Sequence, residues 1–429
     1  MSARMMDVTG KTVRIEVTVE MEDSMLGSEE AILAAFNAGG VLATREALRR
    51  FDTDGRALVV EGRKYFSKGR LPKAYQTPYG EVEVDRHVYQ SARGGRTFCP
   101  LEQRARTVVA STPRFARMVS FGYACGSARR VCEDLRANHG RAVAASFVQR
   151  LGEAVGGMAQ AREAEWDYAP PPLDRPVASV GIGLDGTCVL LCDDGWREAM
   201  TGTLSLYDEE GGRLHTIYRG ATPEYGKARF NAGLERDIAR VKAAYPEARY
   251  VGIADGAQSN WRFLAPHVGE RILDFYHVTE YVARAAMAAE PKDPKARREW
   301  QAARCHALKH ESGAAARLLA ELEALPTHGL AAPVLEDLRA TLTYLRNHLG
   351  QMDYPRYRAA NLPIGSGVTE AACKTLVKQR LCASGMRWKE AGVAVVLSLR
   401  ALVLTPGRWA QFWERISQEG LELSACDIK

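Results

Sequence analysis

A proline-rich segment, YAPPPLDRP (168–176), constrains the fold of this chain more than any other feature. Proline lacks a backbone N–H and fixes φ, so this segment can neither continue a helix nor form a central strand. We therefore interpret residues 167–176 as a linker. The 429 residues also exceed the ~250–300 at which single cores usually divide. The sequence thus predicts a domain on each side of the linker.

The composition indicates a folded protein without export or membrane signals. Hydrophobic residues make up 46% of the chain, enough for a core in each domain, and no stretch approaches ~18 uninterrupted apolar residues. The N-terminus lacks the apolar run of a secretory signal. The nine cysteines contain no Cys-x-x-Cys pair, so we expect reduced thiols in a cytoplasm. The net charge of +6 permits a polyanionic partner without requiring one.

Residues 1–100 predict a helical lead-in followed by a small β-ribbon. Residues 28–52 carry apolar side chains at three- and four-residue spacing, the pattern of an amphipathic helix, which Gly39-Gly40 breaks midway. The segment TPYGEVEVDRHVYQ then alternates apolar and polar residues at period two. This alternation predicts a small β-ribbon at about 76–99.

Residues 101–166 have the outline of a helix-turn-helix. Two helical patterns are separated by Asn138-His139-Gly140. In such a motif the second helix can enter a major groove, while basic side chains reach phosphates. The candidate DNA contacts are Arg129, Arg130, Arg141 and Arg150. Many paired helices bind nothing, so the pattern alone leaves DNA binding open.

Residues 177–410 predict an α/β domain. The runs VASVGIGLDG, TLSLYD and RLHTIYRG predict three successive strands, as in an antiparallel meander. There follow a helix at about 227–244, the strand YVGIADG, a helix around Trp261 and the strand RILDFYH (271–277). The predicted order is βββαβαβ.

The remainder of this region is predicted to be helical. Residues from about 280 to 360 are rich in Ala, Leu, Arg and Glu at helical spacing and predict an all-helical insertion. The segment LPIGSGVTEAACKTLVKQRL predicts a glycine-marked turn and then a helix holding Glu370. Residues 411–429 are predicted to be a C-terminal tail.

Three acids are candidate metal ligands. Asp185 and Asp255 each follow a predicted strand and precede a glycine, a position where α/β sheets present functional groups. Either Asp-Gly pair taken alone is more readily explained as a turn. Glu370 lies in the first turn of its predicted helix, where an acid also complements the helix dipole.

Phosphodiester chemistry explains why three carboxylates would be gathered. Hydrolysis and strand transfer use two divalent ions ~3.5–4 Å apart, one at the attacking and one at the leaving oxygen. Carboxylate oxygens suit Mg²⁺, whose octahedra water and phosphate complete. No serine, lysine or histidine nucleophile is required.

These segments resemble the DDE transposases of bacterial insertion sequences, which are built on a ribonuclease-H-like domain, and most of all the Kra-type insertion sequences. The resemblance runs from TPYGEVEVDRHVYQ to GMRW, and its most specific segment is LPIGSGVTEAACKTLVKQRLCASGMRW (362–388). It implies that Asp185 in GLDG, Asp255 in IADG and Glu370 in SGVTEA hold two Mg²⁺ ions, for which Mn²⁺ can substitute.

The resemblance also implies the reaction and its partners. Metal-dependent hydrolysis at the ends of the element would be followed by attack of the freed 3′-hydroxyl on target DNA. The partner is double-stranded DNA, bound by a homo-oligomer on paired ends. Asp274-Phe-Tyr-His277 matches an Asp-x-x-His element that supports the active site, although His277 is as readily a structural histidine.

Further DNA contacts are predicted beside Glu370. Lys374, Lys378 and Arg380 follow it at helical spacing, so at least the two lysines share a face that could track the DNA backbone. Arg387-Trp388 places a cation beside an aromatic ring, a pair suited to a phosphate and an unstacked base. The alternatives are a solvated helix face and a core tryptophan.

Three other functions fit parts of the pattern. A ribonuclease-H-like nuclease or resolvase would cleave without joining, and a transposase-derived regulator would bind DNA without any metal-dependent product. The third alternative is a structural protein without metal. It is favoured if the carboxylates lie well beyond ~8 Å from one another, because they could not then share ions ~4 Å apart.

Overall fold

The computed structural model describes residues 2–222, 227–419 and 424–425. Helices hold 50% and strands 23% of the residues, which confirms the mixed α/β class. The chain forms two compact units, the first of Met1–Trp166 with Arg408–Lys429 and the second of Asp167–Gly407. Among the described residues no single helix is long and apolar enough to cross a membrane, although two consecutive helices separated by a bend reach that length together.

The first unit contains a two-stranded hairpin, a five-stranded antiparallel sheet and several helices. Its strands, numbered along the whole chain, are β1 (Ala3–Thr9), β2 (Thr12–Val17), β3 (Leu58–Val60), β4 (Arg63–Gln76), β5 (Glu81–Ser91), β6 (Gly94–Phe98) and β12 (Ser424–Ala425). Its helices are α1 (Met25–Arg49), α2 (Pro100–Arg104), α3 (Pro113–Cys125), α4 (Ala128–His139), α5 (Ala145–Arg162) and α16 (Arg408–Gln418). The larger sheet has the order β12-β3-β4-β5-β6.

Helix α1 is continuous, so the predicted break at Gly39-Gly40 is wrong. A Cβ on Gly40 would lie 2.3 Å from Cγ of Tyr79, and one on Gly39 would lie 3.2 Å from a methyl of Val17. The two glycines therefore let strand and loop side chains pack against the helix backbone, and this packing offsets their poor helix propensity.

The predicted β-ribbon at 76–99 is one part of a larger sheet. Strand β4 begins at Arg63 and pairs with β5 over most of its length. The hairpin β1–β2 was missed altogether, because its alternation is short and its residues are largely exposed.

The second unit is built on one five-stranded sheet of order β11-β10-β7-β8-β9. The strands are β7 (Ser179–Leu191), β8 (Gly195–Tyr207), β9 (Arg213–Ala221), β10 (Arg249–Ala254) and β11 (Glu270–Leu273). The first three form an antiparallel meander, and β10 and β11 run parallel to β7. With helices α6 (Ala228–Ala244) and α7 (Gln258–Leu264), the predicted order βββαβαβ is confirmed.

Helices complete the second unit, and the predicted insertion is helical throughout its described elements. They are α8 (Phe275–Ala289), α9 (Pro294–His310), α10 (Ala314–Glu323), α11 (Ala332–His348), α12 (Tyr354–Ala359), α13 (Gly367–Ala372), α14 (Gln379–Leu381) and α15 (Glu390–Leu404), with a π-helical turn at Cys373–Lys378. One apolar core joins the sheet to the insertion, with Ile182 and Leu204 in the same cluster as Leu318 and Leu345.

Three boundaries differ from the prediction. Strand β7 continues through Asp185 to Leu191, so Asp185 lies within a strand rather than at its end. The strand predicted at 271–277 stops at Leu273, which places His277 in the first turn of α8. Helix α16 occupies the start of the expected tail and belongs to the first unit; residues 420–423 and 426–429 of that tail, with Cys426, lie outside the described residues.

Candidate active site

Two of the predicted acids lie at the same level of the sheet. Strand β10 runs parallel to β7 and its last partner on that strand is Gly183, opposite Ile253. Asp185 and Asp255 each come two residues later. Both acids therefore lie at the carboxyl-terminal end of the parallel pairing between β7 and β10. Asp185 is within a strand only because β7 goes on to pair with β8, where it faces Thr201.

Asp185 is a half-buried carboxylate in an electronegative setting. Its Oδ1 accepts a hydrogen bond from the Gly186 N–H at 2.7 Å, and Cys373 Sγ lies 3.6 Å from its Oδ2. Burial raises the pKa of Asp185 above its ordinary value, and the charge of Asp255 raises it further, while the two hydrogen bonds and His277 oppose the shift. The two aspartates therefore act on each other electrostatically.

Glu370 is carried by a helix that packs on β7 and β8. Gly183 permits this approach, since a Cβ there would lie 2.1 Å from Oγ1 of Thr369, which also hydrogen-bonds Thr203 at 2.7 Å. Cys373, one turn after Glu370, is the residue that reaches Asp185. The Glu370 carboxylate itself is exposed and accepts a hydrogen bond from Ser366 Oγ at 2.7 Å.

Asp274 positions the segment that leads to Glu370. It is fully buried and caps α8, its Oδ1 accepting from the N–H groups of Tyr276 at 2.6 Å and His277 at 3.1 Å. Its Oδ2 accepts from the Ser366 N–H at 2.5 Å. One side chain thus fixes both the start of the insertion and the turn before α13.

His277 lies at the margin of the site. Its side chain is 37% exposed, and its Nδ1 is 3.7 Å from a carboxylate oxygen of Glu280. It is close enough to Asp185 to lower the pKa of that carboxyl. The structure thus places both members of the Asp-x-x-His element beside the acids, but in a helix cap rather than on a strand.

The donor set has the right chemistry for Mg²⁺ but is not assembled around a shared point. Asp185, Asp255 and Glu370 offer oxygen ligands, and none of them forms an ion pair with lysine or arginine in the part of the chain that the structure describes. As the side chains stand, the described residues include no group of three His, Cys, Asp or Glu close enough to hold a metal ion. The hydrogen bond from Ser366 holds Glu370 in its present position.

The predicted contacts after Glu370 divide into exposed and buried residues. Lys374, Lys378 and Arg387 are exposed. Arg380 is only 3% exposed and its guanidinium lies 5.0 Å from the ring centroid of Trp388, so its assignment as a backbone contact is wrong.

Trp388 is a structural residue. Its indole N–H donates to the Leu381 carbonyl at 2.9 Å, and its backbone bridges the end of β7 through Leu190 and Cys192. The core alternative therefore describes Trp388 better than stacking on an unpaired base.

The predicted contacts in the first unit divide in the same way. Arg129, Arg130 and Arg150 are exposed on α4 and α5. Arg141 is buried; it donates to the Thr77 carbonyl at 3.1 Å and to Gln76 Oε1 at 2.6 Å. Arg141 therefore joins the helix pair to the β4–β5 turn and is not available to DNA.

Sequence patterns missed several residues that shape the site. Gly183, Thr369 and Ser366 bring α13 to the sheet, and the glycine in the middle of a strand was a signal of close approach. Tyr344 of the insertion donates its hydroxyl to the Asp255 carbonyl at 2.8 Å. No local pattern could connect Tyr344 to a residue 89 positions away.

Comparison with models of protein families and with curated proteins gives no match. The function has to be argued from the site itself.

Proposed function

We propose that the protein is a DNA transposase of the three-carboxylate type. The observation that carries the proposal is that Asp185 and Asp255 lie together at the carboxyl-terminal end of the parallel pairing between β7 and β10. The helix of Glu370 packs against the strand of Asp185. Acids from two strands and a returning helix would flank a substrate from opposite sides. The resemblance of residues 362–388 to transposases supplies the specific reaction.

We assign the second unit to the ribonuclease-H-like fold. An antiparallel meander followed by two parallel strands, in the chain order βββαβαβ, supports that assignment. The helical insertion between β11 and α13 supports the transposase within it, because the insertion returns the chain to the sheet at Glu370.

Asp185, Asp255 and Glu370 would hold two Mg²⁺ ions, with Mn²⁺ as a substitute. When bound, such ions activate the attacking oxygen and stabilise the leaving oxygen of a phosphodiester. Glu370 would exchange its hydrogen bond with Ser366 for this role by rotation of an exposed side chain. Asp274 acts as a positioning residue, since it fixes the turn from which α13 starts.

Double-stranded DNA is the proposed substrate, and a homo-oligomer would hold paired ends. The exposed cations Lys374, Lys378 and Arg387 would lie along the DNA near the acids. Arg129, Arg130 and Arg150 keep their predicted role in the first unit, because their side chains are exposed on the two paired helices.

A cleavage and strand-transfer assay tests the proposal. The substrate is labelled DNA carrying the ends of the element that encodes the protein, with Mg²⁺ or Mn²⁺. Wild type should cut and join, whereas Asp185→Asn, Asp255→Asn and Glu370→Gln should only bind. Glu311→Gln is a matched control, since Glu311 is an exposed acid paired with Arg317 in the insertion.

The other outcomes identify the alternatives. Cleavage without joining would indicate a nuclease or resolvase, and binding without any metal-dependent product would indicate a regulator. Full activity in the three acid variants would refute the catalytic assignment.

A further inference from the structure

A cavity of about 1010 Å³ lies beside Asp255 in the second unit. Its wall includes Gly256, the residue that follows Asp255, and three arginines from three different elements. Arg262 comes from α7, Arg271 from β11 and Arg339 from α11. We call this cavity the arginine groove.

The three arginines of the groove have no acidic partner among the described residues. All three are exposed, and none forms an ion pair within the described ranges. Glu336 is the one acid among the lining residues. Four arginines of the insertion are instead paired with acids, in the pairs Arg304–Glu321, Arg317–Glu311, Arg346–Glu323 and Arg356–Glu270. The arginine groove, lined by three exposed arginines and Glu336, is therefore a local excess of positive charge.

The groove has a fixed relation to the candidate active site. Tyr344, in its wall, donates its hydroxyl to the Asp255 carbonyl at 2.8 Å and stacks on Tyr281 with ring centroids 3.8 Å apart. Gly256 has φ +103°, and a Cβ there would lie 2.8 Å from the Tyr344 ring. Glycine thus lets the insertion reach the strand end that carries Asp255, so a ligand in the groove would be held next to that acid.

We infer that the arginine groove binds the phosphodiester backbone of DNA next to the bond that is cut, an inference that rests on the proposed function. Guanidinium groups match phosphate oxygens in two-point hydrogen bonds, and arginines on three elements can contact successive phosphates. Asn347 and Gln351 add amide donors to the same wall. The volume is at the upper limit of the roughly 300–1,000 Å³ of small-molecule pockets, which favours a strand over a single phosphate.

The test is DNA binding as a function of salt concentration. A fluorescent duplex is titrated with wild type, Arg262→Ala, Arg271→Ala, Arg339→Ala and the triple variant, without divalent ions so that no chemistry occurs. Each single variant should lose affinity by about two- to fivefold. Each should also lower the slope of log K against log[salt] by about 0.9, and the triple variant by roughly 2–3.

Arg317→Ala is the matched control, because it removes an exposed arginine of the same insertion that pairs with Glu311. It should bind DNA with the affinity and slope of wild type. If the three groove variants behave like this control while wild type binds DNA, the inference is refuted and the proposed function stands. If wild type binds no DNA, the proposed function fails first.

A second measurement separates a DNA site from a site for small phosphates. Thermal unfolding is followed with and without pyrophosphate for wild type and the triple variant. Stabilisation by pyrophosphate that disappears in the triple variant, together with unchanged DNA binding, would assign the groove to a small anion and overturn the inference. Weaker DNA binding by the triple variant, together with a wild-type melting temperature that pyrophosphate does not change, supports the inference.

Discussion

Asp185 shows how a single carboxylate can cost stability for the sake of a site. Its pKa is raised in the folded chain, so the folded state favours the protonated form. The protonated form of Asp185 therefore contributes stability that is fully present below the ordinary pKa of aspartate. This contribution is lost as the pH rises through the raised pKa of Asp185. Above the raised pKa the ionised carboxylate opposes folding unless a cation is bound.

We predict that Asp185→Asn stabilises the metal-free protein at neutral pH. The substitution removes the buried charge and its repulsion with Asp255. The expected gain is up to about 1 kcal/mol, a rise in Tm of roughly 2–4 °C. Thermal unfolding at pH 7 measures it, and the gain should vanish below the ordinary pKa of aspartate. A lower Tm for the variant at pH 7 would contradict this account.

Arg141 illustrates the limit of reading charge from sequence. Four arginines in and beside the predicted helix-turn-helix have similar surroundings in the sequence, yet one is buried and bonded to the β4–β5 turn. The partners of Arg141 lie about 65 positions away. Patterns of spacing describe the face of a helix and carry no information about such distant acceptors.

We predict that Arg141→Ala destabilises the first unit by about 2–3 kcal/mol, since it removes hydrogen bonds of a buried charge and leaves the Thr77 carbonyl without this donor. Arg129→Ala, at an exposed position of α4, should change stability by no more than about 0.5 kcal/mol. Urea unfolding compares the two variants. Equal stabilities would show that Arg141 has no structural role.

At the scale of elements, the candidate site depends on how one helix meets one strand. The sequence located both, because a strand of apolar residues and a glycine-marked helix start are local patterns. It placed Asp185 at a strand end, whereas β7 continues in partnership with β8. Pairing of this kind is decided between strands, so a single strand does not reveal where it stops.

Strand β4 was missed for a related reason. Pro72 and Gly69 interrupt its pattern. Strand β3 pairs only with Arg63–Tyr65 of β4, so the same side of β4 has no strand partner at Pro72 among the described residues. Proline is tolerated where its missing N–H faces no neighbouring strand. The sheet therefore accommodates a residue that argues against a central strand.

We predict that Gly183→Ala displaces α13 from the sheet. The added methyl group would meet Thr369 Oγ1, so the variant should lose about 1–3 kcal/mol of stability and lose metal-dependent activity through Glu370. Adding Thr369→Ala should restore part of the stability, because it removes the clashing hydroxyl. A double-mutant cycle from urea unfolding measures this coupling, and simple additivity of the two changes would exclude the contact.

The whole molecule has a discontinuous first unit, since Arg408–Lys429 belongs with Met1–Trp166. Helix α16 supplies buried residues to that unit: Phe412 and Trp413 are 0% and 6% exposed, and Phe412 packs on Trp166 with ring centroids 5.6 Å apart. The first division between the units lies between Trp166 and Asp167, next to the proline-rich segment, but no sequence pattern indicated that the chain returns to the first unit.

We predict that a chain ending after Gly407 keeps a folded second unit and loses stability in the first. Loss of α16 uncovers Phe121 of α3 and Trp166, while Asp167–Gly407 retains its own core. Hydrogen exchange should become faster in β4 and β5 and stay unchanged in β7 and β8. Full protection of β4 and β5 in the shortened chain would show that α16 is dispensable.

The return of the chain also sets an order of events on the ribosome. The first unit is synthesised early but lacks α16 until all of Asp167–Gly407 has been made. At ~5–20 residues per second this interval lasts on the order of tens of seconds. During that time the nascent first unit exposes the apolar surface that α16 later covers, whereas the second unit can fold as a continuous segment. The portion made first is thus the portion completed last.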